Sequence, residues 1–194
     1  MLIFEKFEPF FLRIPQGISS RFRMGLYKLL GMQTGGDNRM EKSRCRRVSQ
    51  ISIGKRNAFT QGAMLWPDDV AYNGIRIKIG DRNYFNRNLM IDACNYIEIG
   101  HHNMFGPDIY ITDSDHRFGP GVSPSGQPME KGTVKIGDHC WIGAKAIILK
   151  DVTLGDYCVV AAGAVVTKSF PAGSVIGGVP ARLLRLTAGI AHSE

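Results

Sequence analysis

The sequence predicts an all-β chain wound as a parallel β-helix of hexapeptide repeats, with a short helical extension at its N-terminus. Three observations carry this. Stepping by six from Ile136 lands on Ile142, Ile148, Leu154, Val160 and Val166, every one a branched aliphatic. The residues that follow them are Gly137, Gly143, Leu149, Gly155, Ala161 and Thr167, small apart from Leu149 and, marginally, Thr167. Four residues after each aliphatic come Cys140, Ala146, Val152, Cys158 and Ala164, again compact. A helix repeats at about 3.6 residues and a strand at about 2, and neither produces six. Three hexads make one coil, so residues 18 apart stack: Cys140 on Cys158, Ile136 on Leu154.

The aliphatic of each hexad points inward and fills a narrow prism, and the compact positions leave room at the corner. Each buried aliphatic contributes roughly 1.5–3 kcal/mol. One coil cannot bury its own face, so several must stack.

Length and composition agree with one soluble domain. The chain has 194 residues, 44% hydrophobic and 21% charged, and no stretch approaches a membrane span. Glu5, Lys6, Glu8 and Pro9 interrupt what would be the apolar core of a signal peptide, so a cytoplasmic protein is expected. The four cysteines form no CxxC pair; Cys140 and Cys158 read as buried free thiols acting as small hydrophobes. The net charge of +7 is uneven. Residues 1–50 hold ten Lys/Arg against four acids, +6, which leaves 14 − 13 = +1 for the remainder.

Along the chain, residues 1–50 read as a basic, partly helical extension. Pro9 and Pro15 break its first part, which carries Phe4, Phe7, Phe10 and Phe11. Ser19 or Ser20 would cap a helix running to about Leu30, with Gly31 past its end and Phe22, Leu26, Leu29 and Leu30 on one face. That helix either caps the open end of the prism or docks on an anionic membrane surface. Nothing in it matches a nucleic-acid motif. Residues 35–50 read as a connector. The repeat domain is expected over 51–186, through Ile53, Phe59 and Leu65, a short external loop at 66–74, then Ile79, Phe85, Ile91 and Ile97. It slips by two residues to Ile99 and continues through Phe105 and Ile111. The unit I-G-x-x-N places Asn57, Asn83 and Asn103 at matching positions, where they form a ladder between coils or support a turn. Residues 113–133, rich in Gly, Pro, Ser and charge, are a loop inserted into the solenoid, and such loops are usually functional or disordered. The tail, 187–194, is polar enough to fray.

His116 opens that insertion, between Asp115 and Arg117 and close to Asp113. Histidine titrates near neutrality, which suits proton abstraction. His101, His102, His139 and His192 are weaker candidates, and their spacing gives a zinc site no support.

I-G-D-x-x-W-I-G at 136–143, V-x-A-A-G-A-V-V-T-K at 159–168 and G-V-P-A-R at 178–182 resemble the hexapeptide-repeat acyltransferases. The nearest group is the maltose, galactoside and nodulation-type O-acetyltransferases with their exopolysaccharide-biosynthesis relatives. The resemblance implies a left-handed β-helix, against the usual right-handed crossover. It implies a homotrimer with active sites between subunits, and acetyl-CoA as co-substrate along the C-terminal coils. His116 matches the catalytic histidine. Asn86 and Asp92 match acceptor-side positions, with Asp92 one residue early in its hexad. The corner at Gly143 and Ala144 would supply oxyanion donors. Trp141 would pack on the pantetheine arm, Ala144 and Ala162 would offer backbone groups to it, and Thr167, Lys168, Arg182 and Arg185 would face the nucleotide and its phosphates.

The expected activity is acetyl transfer to a sugar hydroxyl, in polysaccharide or glycolipid assembly. The alternatives are N-acetylation of an amino sugar or amino acid, a γ-carbonic-anhydrase-like metal hydratase on the same fold, and a non-catalytic β-helix module. The acceptor partner is a sugar or glycolipid, with residues 1–30 as a possible membrane contact.

Overall fold

The computed structural model describes residues 17–68, 72–121 and 123–187. The early phenylalanines and prolines, and the tail from residue 188, lie outside the described residues.

The chain winds as a left-handed parallel β-helix with three faces. The first face runs from Gln33–Thr34 through Ile51–Ile53, Ile77–Ile79, Tyr96–Ile99 and Thr133–Ile136 to Val152–Leu154. The second runs from Arg39–Met40 through Ala58–Phe59, Tyr84–Phe85, Met104–Phe105 and Trp141–Ile142 to Val159–Val160, and ends in an antiparallel hairpin, Ser174–Gly178 with Ala181–Leu186. The third stacks Arg44–Cys45, Met64–Pro67, Met90–Ala93, Tyr110–Thr112, Ile147–Ile148 and Val165–Val166.

The hexad residues fill the prism as their period demands. Ile136, Ile142, Ile148, Leu154, Val160 and Val166 are all buried, and so are the compact Cys140, Ala146, Val152, Cys158 and Ala164. The second face carries an aromatic column through three coils: Phe59 stacks on Phe85 at 4.4 Å between centroids, and Phe85 on Phe105 at 4.7 Å. Cys140 and Cys158 stack as predicted and are free. Neighbouring Cys158 and burial hold the Cys140 thiol above its usual range, and the two thiols donate to different carbonyls, Cys140 Sγ to Gly155 O at 3.3 Å and Cys158 Sγ to Pro171 O at 3.2 Å.

The asparagine ladder is one rung longer than expected. Asn38 Oδ1 accepts from Asn57 N, Asn57 Oδ1 from Asn83 N, Asn83 Oδ1 from Asn103 N, and Asn103 Oδ1 from Cys140 N, all within 2.6–2.9 Å. The amides of Asn57 and Asn83 donate in turn to Gly80 O and Gly100 O. Each side chain thereby satisfies a corner N–H that would otherwise be buried without a partner.

The structure moves two boundaries. Residues 33–45 are a full first coil, paired in register with the second, so the solenoid starts well before residue 51 and residues 35–50 are no simple connector. Their core side chains, Met40 and the partly buried Cys45, do not read as hexad aliphatics, which hid the coil. Trp66 and Pro67 belong to a strand rather than a loop, paired with Asp92 and Ala93.

Residues 17–29 form the expected helix, and Gly31 ends it at φ 99. The helix packs on the first coil, but not through its apolar face. Met24 is buried and Tyr27 packs beside it. Ser20, inside the helix and not at its cap, accepts from Met40 N at 2.7 Å. Arg23 Nη1 donates to Met40 O and Tyr27 OH to Ser43 O. Phe22, Leu26, Leu29 and Leu30 are exposed. Polar bonds to the open strand ends, not apolar burial alone, seat this cap.

Candidate active site

From the second coil onward two corners of the prism are constant and one is not. From first to second face the step is six, as from Ile136 to Ile142, and the second corner repeats it from Ile142 to Ile148; only the first coil, with five from Met40 to Cys45, departs. The third corner takes every insertion: Leu65 to Ile77 is 12 residues, and Ile111 to Val134 is 23.

His116 stands on the larger insertion. The loop expected at 113–133 begins and ends as an antiparallel ribbon, Ser114–His116 against Met129–Lys131, with His116 opposite Met129. Its imidazole is exposed and makes no hydrogen bond within the described chain. The ribbon is held at its base by Asp113, which is wholly buried and accepts from Cys94 N at 2.7 Å and Asn95 N at 2.8 Å. Cys94 and Asn95 are the two extra residues of the register slip. Burial raises the Asp113 carboxyl above its ordinary range despite those bonds. Asp113 carries one signal in the sequence: it is an acid directly after the last strand residue and faces a two-residue slip.

Asp92 faces outward on the third face between Trp66 and Thr112. It is half-buried, with Tyr110 OH 3.4 Å from Oδ2. Burial raises its pKa most, and the charges of Asp68 and Asp113 add to the rise. Asn86 lies on the second corner, its Oδ1 accepting from Arg87 N at 2.8 Å. His116 and Asn86 therefore occupy different edges of the third face.

The expected coenzyme residues divide in the same way. Trp141 projects from the second face, 56% exposed, with Met104 and Val159 beside it. Ala144 and Ala162 stack on the second corner, 18 residues apart. Gly143 N donates to Val160 O at 2.8 Å, so this N–H is committed to the ladder and is no oxyanion donor. Ala144 N and Ala162 N donate to nothing within the described chain. Gly106 and Gly143 keep them open: a Cβ at Gly106 would lie 2.6 Å from Ala144 N, and one at Gly143 would lie 2.6 Å from Ala162 N. Arg182 pairs with Gly177, which abuts Ala161, and so extends the same corner. Arg182 is exposed, and its Nη1 donates to Ala181 O at 3.0 Å. Arg185 pairs with Val175, farther back on the second face. Thr167 and Lys168 follow the last third-face strand and are exposed, with Lys168 Nζ 5.6 Å from the Phe170 ring centroid.

Among the described residues no three His, Cys, Asp or Glu are grouped to hold a metal. His102 and His139 stack with Tyr157 on the first corner, and His101 faces Asp81. Within one chain these histidines do not converge with His116.

Residues 133–168 match the family model for the bacterial transferase hexapeptide (six repeats). The chain is 46% identical over 122 residues to Nodulation protein L of Rhizobium leguminosarum bv. viciae, covering 63% of this chain and 64% of that one. It is 32% identical over 128 residues to galactoside O-acetyltransferase of Escherichia coli, covering 65% and 63%. The chain thus spans just under two thirds of the length of these curated relatives. Among solved structures, AntD, an N-acyltransferase from Bacillus cereus in complex with dTDP and 3-hydroxybutyryl-CoA, superposes with a TM-score of 0.71 at 20% identity over 84% of this chain and 88% of that one. Galactoside acetyltransferase in complex with coenzyme A superposes with a TM-score of 0.60 at 24% identity over 84% and 69%. The structural likeness is one of fold. The sequence matches agree with the resemblance to hexapeptide-repeat acyltransferases that the motifs carry.

Proposed function

We propose that this hexapeptide-repeat chain is a CoA-dependent acetyltransferase that moves the acetyl group of acetyl-CoA to a sugar hydroxyl, in the assembly of a polysaccharide or glycolipid. The observation that carries the reading is the second corner: two uncommitted N–H groups, Ala144 and Ala162, lined up between an exposed indole and Arg182. A pantetheine arm offers amide carbonyls for such donors, and its nucleotide phosphates suit a guanidinium. Lys168, Thr167 and Arg185 extend the polar surface of the same C-terminal coils.

In this reading His116 removes the proton of the acceptor hydroxyl. The oxygen attacks the thioester carbonyl, the carbon–sulfur bond breaks, and the proton passes from His116 to the departing thiolate. Ala144 N–H, rather than Gly143 N–H, is the corner donor left for the developing oxyanion or the arm. Asp92 and Asn86 orient the acceptor. Because His116 and Asn86 sit on different edges, a complete site takes them from two copies, as in a trimer with sites between subunits.

Thiol release from acetyl-CoA with a panel of sugars and sugar nucleotides tests the activity. His116→Ala is expected to lower kcat by roughly 10²–10⁴-fold while coenzyme binding persists. Undiminished transfer by that variant overturns the mechanism. Lability of the product to mild base separates an ester from an amide, and so the sugar hydroxyl from an amino acceptor.

A further inference from the structure

The helix that caps the first coil is amphipathic in an unusual sense: its apolar side faces away from the protein. Ile18 is 64% exposed, Phe22 75% and Leu29 84%. At about 100° per residue these three fall within about 40° of one another, with Leu26 at the margin. The opposite side carries Ser20, Met24 and Tyr27, all engaged with the first coil. Isolated exposed apolar residues need no explanation, but a row of this size does.

The flank of the row is basic. Arg21 and Lys28 lie on one edge of the helix and, with Arg39, line a cleft of about 600 Å³ between helix and first coil. Its carboxylate, Asp37, is 3.8 Å from Arg56. Over residues 17–50 there are eight Lys/Arg and two acids, 8 − 2 = +6. No described helix is long and apolar enough to cross a membrane.

We propose that this end of the molecule docks on an anionic membrane surface. The helix lies in the interface plane with Ile18, Phe22 and Leu29 at the acyl–headgroup boundary, and Arg21, Lys28 and Arg39 meet lipid phosphates. Charge complementarity selects this occupant. A second copy would set Arg21, Lys28 and Arg39 against the same bases, whereas an anionic bilayer answers both the apolar row and the bases beside it. The cap stands on the first coil, and the Ala144–Ala162 corner lies on the fifth and sixth, so docking leaves that corner several coils from the surface. The inference is independent of the proposed acetyl transfer.

Flotation of the full chain with phosphatidylcholine vesicles, with and without phosphatidylglycerol, is the test. Binding is expected only with the anionic lipid and should weaken as salt is added. Phe22→Glu with Leu29→Glu should abolish it without changing melting temperature or subunit number. Arg21→Glu with Lys28→Glu should weaken it by at least about 25-fold, about fivefold per base. Absent binding, or equal binding to neutral vesicles, overturns the proposal. A changed subunit number in the Phe22/Leu29 variant would assign the face to a second copy. A melting temperature several degrees lower would mean that the chain covers the face itself. Either result overturns it too.

Discussion

Asp92 shows how one residue ties the scaffold to its proposed chemistry. An outward carboxylate on a β-helix face is ordinarily solvated, but this one is half-buried among Trp66, Tyr110 and Thr112, with Asp68 and Asp113 close enough to raise its pKa further. A folded pKa above the ordinary 3.8 means that the native state binds more protons than the unfolded chain, so this group's contribution is full below pH 3.8 and is lost as pH rises through the folded value. Asp92→Asn removes the ionisation. Thermal unfolding of wild type and variant should therefore give similar melting temperatures in acid, with the variant gaining on wild type as pH rises above 3.8. A constant difference across pH would show that the carboxyl is not strained by its site. Acceptor KM should rise in the same variant if Asp92 orients the substrate.

The elements separate into those that a six-residue period specifies and those that it does not. The hexads are legible because each inward position demands one kind of side chain; Ile136 to Val166 lie where the step of six puts them. The first coil is not legible, because its packing uses Met40 and Cys45 and its corner uses Asn38, none of which marks a hexad alone. The ribbon inside 113–133 has no periodic signal because it pairs only with itself. Site residues carried by motifs, Trp141, Ala144 and Ala162, fall on one corner region, but no motif reports which N–H is already bonded, and Gly143 proved to be committed. The corner makes its own prediction. Gly106→Ala drives a methyl to within 2.6 Å of Ala144 N, so the variant should lose about 1–3 kcal/mol in urea unfolding and also raise the coenzyme Kd. Unchanged coenzyme affinity would remove Ala144 N–H from the proposed site. The ladder makes another. Asn83→Ala strips acceptors and donors from Asn57, Asn103 and Gly100, and should cost about 2 kcal/mol or more with an unchanged m-value.

At the scale of the molecule, the constant corners and the variable corner divide the labour. From the second coil onward the steps at two corners are identical, which keeps three sheets in register, and variation collects at the third, where the His116 ribbon stands. The second corner, closely stacked and glycine-lined, holds Asn86 and the open N–H groups. A single chain keeps these two groups on different edges, and a cyclic assembly reunites them by a heterologous contact, one edge of each subunit against the other edge of the next. Subunit mixing tests this directly. His116→Ala and Asn86→Ala chains should each transfer acetyl poorly alone. Co-assembled, they should regain activity at roughly a quarter of the contacts, because each neighbour supplies its intact residue about half of the time. If both residues of a site came from one chain, every mixed site would still lack one of them. Co-assembly would then restore nothing, and the same activity would have to be built along the third face of a single subunit.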